Sequence, residues 1–266
     1  MLHHNANHAS RSLRRSVLAA TALSLPIIAG VAQASPLSMP APLTFSAGPL
    51  GKLDVQGIAS GMAFYQDFPQ GAAGTMGAKH VGADITNGMV IIQKNTGTLQ
   101  FYIQAGAYSF PTLAAAIPSS TSNINDFGAM PVAYLKYAPS SDYSVEVGKL
   151  PTLIGAEGGF TYQNINIARG LLWDVEPIVS RGVQFNASKG PISASVSLND
   201  GYYSNRYNVM SGLLSYAING SNTVSFYAQG PLGKVRQPFT AAAYSAIGTS
   251  SDIYGVEYVY TAPGRG

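Results

Sequence analysis

The chain has no cysteine. That removes a disulfide framework, a thiolate metal site and a lipid carried on a processed cysteine. Charge is scarce as well: Asp, Glu, Lys and Arg together make up 10% of the 266 residues, where soluble domains carry about 25%. Beyond residue 34 only one histidine remains, His80, and no G-x-S-x-G elbow accompanies it. Clusters of His, Cys or carboxylates at metal-ligand spacing do not occur, and neither does an acidic EF-hand loop. The string GPLGK appears at 48–52 and again at 230–234, but without the spacing or the following Ser or Thr of a phosphate-binding loop, so it reads as a turn beside a strand. No catalytic residue, metal or cofactor is expected, and the chain is read as a non-enzyme.

The first 34 residues have a composition of their own. Arg11, Arg14 and Arg15 precede an apolar run over 17–31 and then Ala32-Gln33-Ala34, the charged, apolar and small-residue order of a secretory signal peptide. Cleavage is expected after Ala34. The apolar run is broken by Pro26 and is shorter than the roughly 20 residues of a spanning helix. Of the 15 basic residues, three leave with this leader, so 12 remain against 12 acidic ones. The mature chain, 35–266, is neutral, and nothing in it argues for nucleic acid.

No later stretch is apolar and long enough to be a membrane helix. An exported chain with little charge, many tyrosines and no such helix points to the other fold that satisfies its backbone in lipid, a closed barrel. The positive evidence is period-two alternation in segments of about ten residues, the length of a tilted transmembrane strand. Over 99–108, Leu99, Phe101, Ile103, Ala105 and Ala107 alternate with Gln100, Tyr102, Gln104, Gly106 and Tyr108; over 192–199, Ile192, Ala194, Val196 and Leu198 alternate with Ser193, Ser195, Ser197 and Asn199. Weaker versions cover 52–65, 79–93, 130–138, 142–150, 180–189, 209–219, 223–230 and 251–261, which makes ten candidate strands. In the last, Tyr254, Val256, Tyr258 and Tyr260 share one face, as an interfacial aromatic girdle requires.

Connections alternate too. Short turns at Asn95-Thr96-Gly97, Pro139-Ser140-Ser141, Lys189-Gly190-Pro191 and Asn219-Gly220-Ser221 separate long segments near 66–78, 109–129, 151–179, 200–208 and 231–250. Outer-membrane barrels have this order of short periplasmic turns and long external loops. The expected fold is therefore an all-β, antiparallel transmembrane barrel of about ten strands. Because 261–266 reads as a turn with no strand after it, a C-terminally truncated piece of a larger barrel is favoured. A soluble β-sandwich also alternates, but its outer faces normally carry charge.

Much of the mature chain's charge gathers between 149 and 181: Lys149, Glu157, Arg169, Asp174, Glu176 and Arg181, together with Trp173, the single tryptophan. This is either an ordinary solvated loop or a loop folded into the barrel, where opposed charges narrow the lumen and set its ion preference. On the second reading Lys149, Glu157, Arg169 and Arg181 are the selectivity candidates, with Asp174 and Glu176 the weaker ones.

The stretch VGKLPTLIGAEGGFTYQNINIARGLLWDVEPIVSRGVQF (147–185), followed by SLNDGYY (197–203), resembles the OmpL-like β-barrel porin family. The matching positions are Gly148, Lys149, Pro151, Gly155, Glu157, Asn164, Arg169, Pro177, Gly182, Asn199 and Gly201; Asp200 departs from the pattern by standing between Asn199 and Gly201. The resemblance implies a passive outer-membrane channel of a Gram-negative bacterium, with outer-membrane lipid and small hydrophilic solutes or ions as partners, no cofactor and no nucleic acid. Whether the barrel is a homo-oligomer stays open. The alternatives are a non-conducting barrel serving as adhesin or envelope protein, and a soluble secreted binding module.

Overall fold

A computed structural model describes residues 39–201, 206–233 and 252–261. The expected leader, the last turn at 262–266 and most of the final long connection lie outside the described residues. Eleven strands follow one another: β1 (Leu43–Ser46), β2 (Lys52–Tyr65), β3 (Val81–Lys94), β4 (Leu99–Tyr108), β5 (Val132–Tyr137), β6 (Tyr143–Pro151), β7 (Val179–Lys189), β8 (Ile192–Asn199), β9 (Val209–Asn219), β10 (Asn222–Pro231) and β11 (Ile253–Tyr260). Each pairs antiparallel with its neighbour in sequence, in a single sheet ordered β1 to β11. Among the described residues β1 and β11 are the two edges, so the sheet is not closed. No helix among the described residues is long and apolar enough to cross a membrane.

All ten expected segments are strands, with ends within two residues of those read from the alternation. The addition is β1, whose four residues are too few to display a period. It joins β2 through a short turn, so the order of short and long connections holds from one edge of the sheet to the other.

Side-chain parity separates two environments. On β8, Ser195, Ser197 and Asn199 are buried while Ile192, Val196 and Leu198 are exposed. The same division runs across the sheet: Ser144, Glu146, Gln184, Asn186, Ser211 and Gln229 lie on the buried side, Val147, Phe185, Leu214 and Phe226 on the exposed one. The buried groups bond to one another. Gln184 Nε2 donates to Asn186 Oδ1 at 2.8 Å, Ser195 Oγ to the same oxygen at 2.7 Å, Asn199 Nδ2 to Ser211 Oγ at 3.0 Å and Ser211 Oγ to Gln229 Oε1 at 2.7 Å. Each such group left unsatisfied would cost about 1–3 kcal/mol. An apolar outside and a hydrogen-bonded polar inside is the reverse of a water-soluble sheet, and it suits lipid.

The alternation changes phase within the β2–β3 pair. Between Ser60 and Gly61 the β2–β3 register shifts, so the consecutive residues Thr86 and Asn87 both face inward and are buried. Ser60 Oγ lies 2.8 Å from Thr86 Oγ1 and accepts from Asn87 Nδ2 at 2.7 Å. A bulge of this kind flips the downstream residues to the other face.

At the end of the sheet where the long loops emerge, the interior is filled. Met89, Tyr108, Phe110, Phe127, Val132, Phe160, Trp173, Ile178 and Val179 form one buried apolar cluster. Its rings come from the end of β4 and from the loops 109–131 and 152–178, with centroids 5.1 Å apart for Tyr108 and Phe110, 5.4 Å for Phe110 and Phe160 and 5.6 Å for Phe110 and Phe127.

Candidate functional site

The connection between β6 and β7 folds across the inner face of the sheet. Its neck is closed by the Thr152 amide donating to the Ile178 carbonyl at 3.2 Å. From there the chain reaches strands far from its own. Tyr162 Oη donates to Gln104 Oε1 of β4 at 3.3 Å, and Asn87 Nδ2 of β3 donates to Thr161 Oγ1. Gln104 and Asn87 lie well inside their strands, so the loop enters the lumen.

Inside the loop, polar side chains do the work that regular structure does elsewhere. Asn164 accepts from the Gly158 amide through Oδ1 at 2.8 Å and donates through Nδ2 to the carbonyls of Gly158 and Phe160 at 2.8 and 2.9 Å. Arg169 is 0% exposed. Its guanidinium donates to the carbonyls of Gly158 (3.3 Å), Ile167 (2.9 Å) and Gly159 (2.5 Å) and lies 5.6 Å from the centroid of Trp173. Its backbone joins the second loop, since the Arg169 amide donates to Pro111 O at 3.0 Å and Leu113 N donates to Arg169 O at 2.9 Å. Glu157 accepts the Gly170 amide with both oxygens, at 3.1 and 2.9 Å.

The six charged candidates therefore separate. Glu157, Arg169, Asp174 and Glu176 belong to the inserted loop. Lys149 and Arg181 are paired across β6 and β7 and share strand parity with the exposed Val147 and Val183, which places them at the rim on the outward side. Lys149 Nζ donates to the carbonyls of Phe127 and Met130 at 3.0 and 2.9 Å. Phe127 is the last residue of the one α-helix among the described residues, α1 (Ser120–Phe127), so the ammonium meets the negative end of the helix dipole. At its other end α1 is held by Asp84, which accepts from the Ser120 amide at 2.6 Å. Arg181 is bound by Asp200 in two places, amide to Oδ1 at 2.9 Å and Nε to Oδ2 at 2.7 Å.

Opposed acids and bases across the lumen, as the sequence suggested, are thus not what the loop presents. Glu176 is 7% exposed, and its carboxyl is pushed up to about 7 by burial first, then by Glu157 and Glu257. Burial also raises the carboxyl of Asp174. Gly155, with φ at +84°, lies directly against the Glu176 carboxylate, where a Cβ would overlap it.

The glycines of the motif have separate tasks. Gly148 and Gly182 are partners across β6 and β7; a Cβ on the first would come 2.8 Å from Tyr134 Cα, and on the second 2.8 Å from Asn199 Cβ. Gly201 N donates to Asn199 Oδ1 at 3.0 Å, closing the turn after β8. Pro151 is exposed, whereas Pro177 is buried.

Several residues have partners in the structure that the sequence pattern does not reveal. Asp200, 0% exposed, is noted there only as a departure, yet it is the partner of Arg181. Lys136 and Glu146 form an inward ion pair at 3.2 Å. Tyr102 and Tyr134 stack inside the barrel at 5.5 Å, and Tyr102 Oη donates to the same Gln104 oxygen as Tyr162. Glu257 points inward from β11. Parity alone would have found it, because the exposed Tyr254, Val256, Tyr258 and Tyr260 occupy the opposite face. His80 falls just ahead of β3 rather than on a strand, is exposed, and has Nδ1 3.0 Å from Gln66 O.

Comparison with known proteins agrees with this geometry. Residues 52–262 match the family model described as putative beta-barrel porin-2, OmpL-like. No curated protein and no solved structure matches the chain.

Proposed function

The chain belongs to the OmpL-like beta-barrel porin-2 family, and from that premise we propose that it is an outer-membrane porin through which small hydrophilic solutes or ions diffuse passively. The observation that carries the proposal is the 152–178 loop, anchored to Gln104 and Asn87 inside the barrel wall. A loop held there narrows a lumen lined by Ser, Asn and Gln, and narrowing converts a wide hole into a size-limited passage. Arg169 is the positioning residue: it fixes the loop's shape and ties it to the 109–131 loop. Lys149, Arg181 and Asp200 hold the rim. Export through a leader cleaved after Ala34 belongs to the same proposal.

A non-conducting barrel is the second reading, and one observation favours it: the aromatic cluster packs the loop end of the interior tightly. The two readings part in planar lipid bilayers. A pore produces discrete conductance steps when the full chain is inserted, and the proposal fails if inserted protein produces none.

A further inference from the structure

Two of the long connections enclose a space apart from the inserted loop. At the loop end of the barrel a cavity of about 820 Å³ lies between the 66–80 connection, β3 and one face of α1, within the roughly 300–1,000 Å³ of small-molecule sites. Gly82 and Asp84 of its wall share strand parity with the buried Thr86, so it belongs to the mouth of the lumen and not to the lipid face. The helix α1 separates it from the aromatic cluster: Ile124 and Phe127 pack into the cluster, while Thr121, Ser122, Asn125 and Asp126 line the cavity. Both walls are held by hydrogen bonds of their own. Gln66 Nε2 donates to the carbonyls of Gly77 and Lys79 at 3.0 and 2.7 Å, and Ser109 Oγ donates to Pro118 O at 2.8 Å. Asp84 accepts from both the amide and the hydroxyl of Ser120, at 2.6 and 3.1 Å. Gly77 joins the walls, since a Cβ there would come 3.0 Å from Ala116 Cβ.

The chemistry of the lining narrows the ligand. No aromatic ring of the described residues lines the cavity, so it offers no flat surface for a sugar or a planar ring. Besides Asp84, which is occupied with α1, its charged groups are Lys79 on one wall and Asp126 on the other. The ion pairs among the described residues are Lys136 with Glu146 and Arg181 with Asp200, so Lys79 and Asp126 face the same space without meeting. Burial raises the Asp126 carboxyl, as it does for an acid that has lost water and gained no base. We infer that this cavity is a capture site for small zwitterions of about dipeptide size, with the Lys79 ammonium receiving the carboxylate and the Asp126 carboxylate the ammonium. Thr75, Thr121, Ser122 and Asn125 supply hydroxyls and an amide for the peptide group between. A dipolar ligand gives each of two separated opposite charges a partner, whereas an ion of one sign is attracted by one wall and repelled by the other. Ion contacts open to water are weak, and a site at the mouth of a channel must release what it holds. The pore reading above is the setting of this inference, but binding itself needs no conduction.

The test is a saturation-transfer NMR titration of L-alanyl-L-glutamine against the full chain in detergent micelles at neutral pH. The N-acetylated dipeptide, which has no ammonium, and the dipeptide amide, which has no carboxylate, should each bind about tenfold more weakly, the size of one charge-assisted contact. K79M should bind the dipeptide and its amide alike, and D126N the dipeptide and its acetylated form alike. D67N, which changes an exposed acid of the same connection outside the cavity, should keep both distinctions. Should a variant fail to fold, the comparison of the three ligands on the wild type still decides. Equal affinity of the wild type for all three, no measurable binding of the dipeptide, or distinctions that persist in both K79M and D126N overturn the inference. Because none of these readings uses current through the barrel, bilayer recordings without conductance steps would remove the pore and leave the capture site standing.

Discussion

Arg169 shows how one residue can hold a structure that has almost no regular hydrogen bonding. A fully buried guanidinium must have its donors met, and here three carbonyls meet them while Trp173 covers a face of the ion. Bonds from a charged group contribute about 1.5–3 kcal/mol each, so R169A is expected to free the 152–178 loop at a cost of about 3 kcal/mol or more. Because Trp173 is the only tryptophan, its fluorescence reports on this loop alone; emission should move to the red in R169A, and unchanged emission would contradict the assigned role. Glu176 gives a second residue-scale prediction. Its folded-state pKa of about 7 exceeds the ordinary 4.5, so across that window the folded protein holds a proton that the unfolded chain has released. Stability therefore falls as pH rises from 4.5 toward 7 and then levels off. E176Q should be more stable than the wild type at pH 8, by on the order of 3 kcal/mol, and equal to it near pH 4, as read by urea unfolding in lipid vesicles. Arg169 and Glu176 stand out in the sequence because charge is rare here and the two lie close together. Lys149 and Arg181 fall inside the strands expected over 142–150 and 180–189, so their parity with Val147 and Val183 is already legible there; grouping them with the loop charges passes over it. Asp200 was visible as an oddity, but its partner is 19 residues away.

At the scale of elements, alternation was legible wherever a strand was long and regular. It was not legible in β1, which spans four residues, nor across the bulge at Ser60 and Gly61, where the face changes without any change in composition. The hairpin β6–β7 explains why two glycines stand opposite one another in adjacent strands. Gly182 is buried and faces inward, and a Cβ there would lie against Leu198 O and 2.8 Å from Asn199 Cβ. Relieving such an overlap costs about 1–3 kcal/mol in packed structures. G182A is thus expected to lower the urea midpoint of the barrel, whereas G57A, where nothing lies within 4 Å of a new Cβ, should leave it nearly unchanged. Equal midpoints for the two variants would show that β7 and β8 can shift apart without loss.

For the whole molecule, the parts are arranged so that the sheet supplies a wall and the loops supply its bore. The wall's inner face is uncharged over most of β6 to β10, and its polar groups are occupied with each other; such a wall is inert toward what passes. What distinguishes one solute from another must then come from the loop that crosses it, and that loop is held by contacts to β3 and β4 on one side and its own neck on the other. The strand pairs do not depend on it, since β6 and β7 remain hydrogen-bonded from Tyr143 with Ala187 to Pro151 with Val179. It follows that exchanging 156–175 for a short Gly-Ser linker should leave an inserted barrel, because every ladder survives, but should open its bore. Single-channel conductance is expected to rise severalfold. A barrel that keeps its original conductance after this exchange would place the constriction elsewhere, in the 109–131 loop whose helix is pinned between Asp84 and Lys149, and a D84A/K149A variant should then show the increase instead.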